Sequence, residues 1–206
     1  MFDAGYIDNE LQKIGARARK RMDIYLIGGC AMSFRNLKES TKDIDIVFAN
    51  KEDYEEFCET LSWAQYFEKV KNSTEYIPLY ANKMVENKDG FHLDLFVVKV
   101  CGKLNLSKGM ISRAEKFRQY GNITVHLISK EDIFLFKSLA SEGRKRDLDD
   151  MRVIYPNLDW NIIFEELVSQ KLEDGDIIHI IKRLKEFNAK FELDVPLISK
   201  LRKMVK

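Results

Sequence analysis

The spacing of hydrophobic and polar positions changes along the chain, and this change divides the chain into two parts. Up to residue 128, short apolar runs bounded by turn residues alternate with stretches of helical spacing. This pattern predicts strands at 23–27, 42–48, 91–100 and 123–128, helices at 7–21, 30–36 and from 51, and extended segments and turns at 68–85. From residue 130 onward only helical spacing remains, at 131–140, 147–154, 160–170, 176–187 and 196–205. We therefore expect an α/β core over residues 1–128 and a C-terminal helical region over residues 129–206.

Composition excludes several classes of protein. Of the 206 residues, 45% are hydrophobic and 11% aromatic, which is too apolar for a disordered chain. No apolar run approaches the roughly 20 residues that span a bilayer, and residues 1–5 lack the pattern of a signal peptide. Cys30, Cys58 and Cys101 lie in mostly apolar settings without paired spacing, which favours buried reduced thiols over disulfides or a zinc site. We expect a cytoplasmic protein with no membrane partner.

Three aspartates carry the candidate chemistry. Asp43 and Asp45 are two residues apart on a predicted strand, so their side chains leave the same face. Asp94 interrupts the apolar strand at 91–100, where an isolated carboxylate is costly to bury, and His92 shares its face. If the two strands are neighbours, the three carboxylates converge on an oxygen-rich site suited to Mg²⁺ or Mn²⁺. The alternative is a solvated Asp-x-Asp strand end and a separately satisfied buried acid.

A glycine pair precedes the aspartates. Gly28 and Gly29 end one predicted strand and open a helix, where a phosphate can approach backbone N–H groups. A glycine pair alone indicates no more than a turn, but its order relative to the aspartates is distinctive. Ile27–Gly28–Gly29, thirteen further residues, Asp43–Ile44–Asp45 and then Leu93–Asp94–Leu95 resemble the nucleotidyltransferase superfamily typified by DNA polymerase beta.

The resemblance covers roughly residues 24–98. It implies a twisted mixed sheet flanked by helices and transfer of a nucleoside monophosphate from an NTP with Mg²⁺ or Mn²⁺. On this resemblance Asp43, Asp45 and Asp94 are the catalytic and metal-binding residues, and Gly28 and Gly29 bind the nucleotide. One departure is that many members carry a serine at the position of Gly29.

The helical region carries a second resemblance. Lys137 lies on a nearly all-apolar helix and is followed by Arg146-Asp147-x-x-Asp150, an order similar to that of abortive-infection-type toxin nucleotidyltransferases and their uncharacterised relatives. The resemblance implies that Lys137 and Arg146 contact the nucleotide and that Asp147 and Asp150 shape the site. The alternatives are a solvated lysine stem and acids that stabilise the start of the next helix.

The acceptor of the nucleotide stays open at the level of sequence. A tRNA end, a protein hydroxyl or a small molecule such as an aminoglycoside is compatible with the same core, and the toxin resemblance favours a macromolecule and implies an antitoxin partner. A nucleotide-binding or regulatory module without turnover is a further alternative.

Charge is unevenly distributed along the chain, although the net charge is only +1. Residues 11–21 include five basic residues and no acids, residues 182–206 include eight basic and three acidic residues, and residues 41–60 include seven acidic and two basic residues. Basic flanks around an acidic centre would suit a polyanionic acceptor such as tRNA.

Overall fold

A computed structural model describes residues 1–69, 80–139 and 145–205. Parts of the extended region predicted at 68–85 and the end of the helix predicted at 131–140 lie outside the described residues. The chain divides into two units, Met1–Ser129 and Lys130–Lys206, which are described separately below. Among the described residues, no helix has both the length and the apolar composition needed to cross a membrane.

The described residues of the first unit, 1–69 and 80–129, form short strands and four helices. Its strands are β1 Phe2–Asp3, β2 Met22–Ile27, β3 Ser40–Thr41, β4 Asp43–Phe48, β5 Phe67–Glu68, β6 Lys83–Glu86, β7 His92–Val97, β8 Lys99–Val100, β9 Leu104–Asn105, β10 Glu115–Tyr120 and β11 Ile123–Leu127. Its helices are α1 Ala4–Gly15, α2 Gly28–Ser33, α3 Lys51–Trp63 and α4 Lys108–Arg113.

Seven of these strands form one mixed sheet in the order β10-β11-β2-β4-β7-β6-β5. The β11–β2 and β4–β7 pairs are parallel, and the other neighbours are antiparallel. The predicted α/β architecture, a twisted mixed sheet flanked by helices, is confirmed. At the centre of the sheet, β2, β4 and β7 carry fully buried aliphatic residues such as Ile24, Ile44 and Leu93.

Alternation within β4 explains how the sheet presents polar groups. Ile44, Ile46 and Phe48 are buried, whereas Asp43 and Asp45 on the opposite face are half-buried. The apolar face meets helix α3, because the rings of Phe48 and Phe57 lie 5.2 Å apart. Strand β4 therefore anchors the core with one face and leaves its carboxylates on the other.

A buried polar network holds α1 to the rest of the first unit. Glu10 is only 4% exposed, and its carboxylate accepts hydrogen bonds from Tyr66 Oη (2.6 Å), Asn87 Nδ2 (3.0 Å) and Lys13 Nζ (2.6 Å). Burial acts to raise the pKa of Glu10, but these hydrogen bonds outweigh it and leave the pKa below its ordinary value. The charged carboxylate is thus satisfied in the interior.

The described part of the second unit is helical. Its helices are α5 Lys130–Ser138, α6 Lys145–Ile154, α7 Trp160–Gln170, α8 Asp174–Phe191 and α9 Leu197–Arg202. Every residue of α5 after Lys130 is buried, and Phe134 makes edge-to-face contacts with Trp160 (5.3 Å) and Phe187 (5.9 Å). These aromatic contacts tie α5 to α7 and α8.

Candidate active site

Parallel pairing of β4 with β7 brings the three aspartates to one face of the sheet. Asp45 is the register partner of Asp94, and Asp43 is the partner of His92. Paired residues on neighbouring strands, about 4.8 Å apart, project to the same side. Asp94 is fully buried, whereas Asp43 and Asp45 are half-buried. The carboxylates therefore occupy two adjoining rows at the centre of the sheet.

The field of these carboxylates reaches the neighbouring helix. Cys30 is completely buried on α2, and burial raises the pKa of its thiol well above the ordinary value, with the charges of Asp45 and Asp43 raising it further. All three cysteines are free: Cys30 is buried, but Cys58 and Cys101 are only half-buried, so the expectation of three buried thiols was wrong for two of them. Cys30 thus remains a neutral thiol beside the carboxylates.

The donor chemistry of this site fits a hard divalent cation. Carboxylate oxygens are the ligands that Mg²⁺ and Mn²⁺ prefer, and adjoining like charges favour a cation between them. As the side chains stand, however, no three His, Cys, Asp or Glu residues within 1–69, 80–139 and 145–205 form a group that could hold a metal ion. The strand register places Asp43, Asp45 and Asp94 suitably for such a site. Their side chains, as the structure describes them, do not converge closely enough to hold a metal ion.

The glycine turn lies directly against one of these carboxylates. Gly28 has φ +61°, and a Cβ placed on it would lie 2.5 Å from Asp45 Oδ2. A Cβ on Gly29 would lie 2.9 Å from Thr41 Oγ1 and 3.4 Å from Lys38 Nζ. The side chain of Thr41 therefore occupies space that a serine at position 29 would need, which gives a physical reason for the glycine pair here.

Thr41 and Lys38 are polar residues of this region that the sequence reasoning missed. The Thr41 hydroxyl donates to the main-chain carbonyl of Asp43 at 3.1 Å and lies 3.4 Å from its carboxylate. The available signal was spacing, since Thr41, Asp43 and Asp45 follow one another at intervals of two. Lys38 also lines a cavity of about 510 Å³, together with Ser33 and Glu39.

The two residues of the second unit that are predicted to contact the nucleotide, Lys137 and Arg146, differ in their burial. Lys137 is buried, and its ammonium donates to Asp147 Oδ1 at 2.9 Å and Asp150 Oδ2 at 2.7 Å. Burial acts to lower the pKa of Lys137, but the two carboxylates outweigh burial and raise it above the ordinary value. Arg146, in contrast, is exposed on α6. The structure thus groups Lys137 with both acids of the Arg-Asp-x-x-Asp stretch.

The N-terminal basic stretch is partly neutralised within the first unit. Lys20 Nζ lies 3.0 Å from Glu56, and Arg19 lies 3.8 Å from Glu59 and covers the ring of Trp63 at 4.7 Å. Helix α3 therefore supplies acids to two of the five cations at 11–21, which lowers the positive charge that this flank offers to a polyanion.

The chain belongs to the family described as nucleotidyltransferase of unknown function (DUF6036), whose sequence model matches residues 5–192. The predicted superfamily and the expectation of an enzyme are thereby confirmed. No curated protein matches the chain.

Several solved structures are similar to this chain at low sequence identity, and two of them have TM-scores above 0.5. A crystal structure of ANT(2")-Ia in complex with adenylyl-2"-tobramycin is 13% identical with a TM-score of 0.55, and the match covers 82% of this chain and 96% of that chain. A solution structure of the antibiotic-resistance factor ANT(2'')-Ia is 15% identical with a TM-score of 0.55, covering 82% and 92%. An antigenic nucleotidyltransferase-like protein from Paracoccidioides brasiliensis is 15% identical with a TM-score of 0.46, covering 96% and 94%.

Proposed function

We propose that the protein transfers a nucleoside monophosphate from an NTP to a hydroxyl group of an acceptor, with Mg²⁺ or Mn²⁺ held by Asp43, Asp45 and Asp94. The observation that carries this proposal is the register pairing of Asp45 with Asp94, with Asp43 on the same face and Gly28 against Asp45. Three carboxylates at the centre of a sheet repel one another unless a cation joins them.

Each residue has a proposed part in the reaction. Gly28 and Gly29 leave room for the triphosphate next to the carboxylates. Asp94 accepts the proton of the acceptor hydroxyl, whose oxygen attacks the α-phosphorus while the bond to pyrophosphate breaks. A bound divalent ion supplies charge stabilisation for the phosphate oxygens.

Lys137 and Arg146 are proposed nucleotide contacts from the C-terminal helical region, which we treat as a second domain from residue 129. Arg146 is exposed and can meet a phosphate directly. Lys137 already bonds to Asp147 and Asp150, so contact with a phosphate requires it to exchange one of these carboxylates. Arg146 is therefore the readier contact of the two.

For the acceptor we favour a cytoplasmic tRNA or protein hydroxyl, with the enzyme acting in a toxin–antitoxin or defence system beside an antitoxin. An antibiotic acceptor is the second candidate, because ANT(2")-Ia, which shares the fold, was crystallised with adenylyl-2"-tobramycin. A module that binds nucleotide without turnover is the remaining alternative.

The test is a transfer assay with each of the four labelled NTPs, Mg²⁺, and total tRNA, lysate protein or tobramycin. The expected result is one labelled acceptor with release of pyrophosphate, abolished by EDTA and reduced at least about 10³-fold by Asp94→Asn. Glu52→Gln, an exposed acid on α3, is the matched control and should keep full activity. Transfer that survives Asp94→Asn contradicts the mechanism. NTP binding without transfer to any acceptor favours the silent module.

A further inference from the structure

A row of side chains continues from the aspartates toward the edge of the sheet. His92 on β7 is the register partner of Asp43, Glu86 on β6 is the partner of His92, and Phe67 on β5 is the partner of Glu86. Directly paired residues share a face, so this row lies on the same face as Asp45 and Asp94. We call His92, Glu86, Phe67 and Lys69 the edge cluster.

Polar contacts within the edge cluster are close. Lys69 Nζ lies 3.0 and 3.3 Å from the two ring nitrogens of His92 and 3.1 Å from Glu86 Oε2. The His92 ring lies 3.1 Å from the same carboxylate oxygen. Lys69 can only donate hydrogen bonds and the ionised Glu86 can only accept them. All three side chains are partly accessible to solvent, so the cluster can meet a ligand that has both donors and acceptors.

Phe67 ends the row with an accessible aromatic ring. Phe67 is 64% exposed, so its ring is open to contact with a ligand. Exposed aromatic rings beside hydrogen-bonding groups serve as stacking platforms for nucleosides. Phe67 thus adds a stacking surface to the donors and acceptors of Lys69 and Glu86.

The position of the edge cluster relative to the glycine turn indicates which reactant it would contact. Gly28 follows β2, the carboxylates lie on β4 and β7, and the edge cluster lies beyond them on β7, β6 and β5. Phosphoryl transfer requires the attacking and leaving oxygens to be roughly in line on opposite sides of the phosphorus. With the triphosphate at the glycine turn, the attacking hydroxyl arrives from the side of β6 and β5.

We propose that the edge cluster is the acceptor subsite and holds a hydroxylated sugar ring. This proposal rests on the proposed function. Lys69 and Glu86 form hydrogen bonds with neighbouring hydroxyls of the sugar. His92 positions these hydroxyls beside Asp43, and Phe67 stacks against the sugar ring or its attached base. A serine, threonine or tyrosine side chain has only one hydroxyl and lacks the neighbouring second hydroxyl that this arrangement matches. The ribose at an RNA 3′ end and the sugar of an aminoglycoside both have this chemistry.

Steady-state kinetics test the proposal with Phe67→Ala and Glu86→Gln. Total tRNA, periodate-oxidised tRNA without its terminal diol, and tobramycin are the acceptor probes, and KM is measured separately for acceptor and NTP. We expect Phe67→Ala to raise the acceptor KM roughly 10-fold with an unchanged KM for NTP, and Phe67→Tyr to restore it. The matched control is Glu68→Gln, on the same strand but the opposite face, where Glu68 lies 3.5 Å from Lys83.

The outcomes separate the two proposals. If the wild type labels an acceptor and the edge variants leave its KM unchanged, or raise the KM for NTP equally, the acceptor subsite is wrong and the proposed function stands. If the wild type labels neither the three acceptor probes nor any component of the lysate, the proposed function fails and the proposed acceptor subsite fails with it. Labelling of intact but not oxidised tRNA identifies a ribose acceptor, and labelling of tobramycin identifies an aminosugar.

Discussion

Removing the Lys137 ammonium should strongly destabilise the second unit. Lys137→Met keeps the length and apolar stem of the side chain but leaves Asp147 and Asp150 without the cation that lies 2.9 and 2.7 Å from them. All three side chains are at most 13% exposed, so water compensates poorly for the lost ammonium. Breaking a buried ion pair on one side costs roughly 3–5 kcal/mol.

A surface ion pair in the same unit provides the matched control. Lys190 pairs with Asp149, but these side chains are 39% and 59% exposed. Lys190→Met should therefore cost no more than about 1 kcal/mol of the free energy of unfolding, because exposed pairs are screened by solvent. The comparison isolates burial, since both variants remove one lysine that is paired with aspartate.

Urea unfolding followed by circular dichroism measures both losses. Because the pKa of Lys137 is raised above 10.5, its contribution is complete below that pH and is lost only as pH rises through the raised value. The difference between wild type and Lys137→Met should accordingly be constant through the neutral range. A loss for Lys137→Met no larger than that for Lys190→Met would refute this account, and would favour a lysine kept for the nucleotide.

Two further variants test other contacts. Gly28→Ala should reduce the rate of nucleotide transfer at least about 10-fold, because the new Cβ would lie 2.5 Å from Asp45 Oδ2 at a backbone φ of +61°. Kinetics with saturating NTP measure this loss. A near-normal rate would contradict the close contact. Tyr66→Phe should cost roughly 1.5–3 kcal/mol at pH 7 by removing a 2.6 Å hydrogen bond to the charged Glu10. Since the pKa of Glu10 is lowered, this cost should shrink as pH falls through that pKa, and urea titrations at neutral and acidic pH that show equal losses would exclude the charged hydrogen bond.

The centre of the fold was predictable because its sequence signals agree with one another. Strand β4 alternates from Asp43 to Ile46, and strand β7 is apolar apart from His92 and Asp94. Asn50 caps α3 by accepting from Asp53 N at 2.8 Å, as its position before the helix predicts. These local signals specify their own elements without knowledge of partners. The shared face of Asp43 and Asp45 follows from the period of a strand alone.

Elements with weak apolar signals were not predicted. Strand β10 has the sequence EKFRQY and is mostly exposed, because it lies at one end of the strand order and has a single neighbour in the described sheet. Charged residues are normal on such an edge, where they discourage pairing with other chains. The short helix α4 likewise lacks a periodic apolar face and depends on Ser107, whose hydroxyl accepts from Met110 N.

The edge cluster was beyond sequence reasoning for a different reason. His92 was recognised as sharing the Asp94 face, but its contacts with Glu86 and Lys69 depend on the order β7-β6-β5 and on register. Neither follows from hydrophobic period, because pairing is decided by which strands meet and where. The same holds for Lys137, whose two carboxylates come from the following helix.

The parallel pairing of β4 and β7 also bears on how the enzyme comes into being. Parallel strands cannot be joined by a tight hairpin, and here the intervening chain includes α3, β5 and β6. Contacts so distant in sequence require the chain to overcome the entropy of closing a long loop. Asp45 and Asp94 therefore become neighbours only once β7 has been synthesised and has docked beside β4. A full-length chain in which β7 has not yet paired with β4 has all three aspartates but not the proposed site, so that site forms only when the sheet is completed.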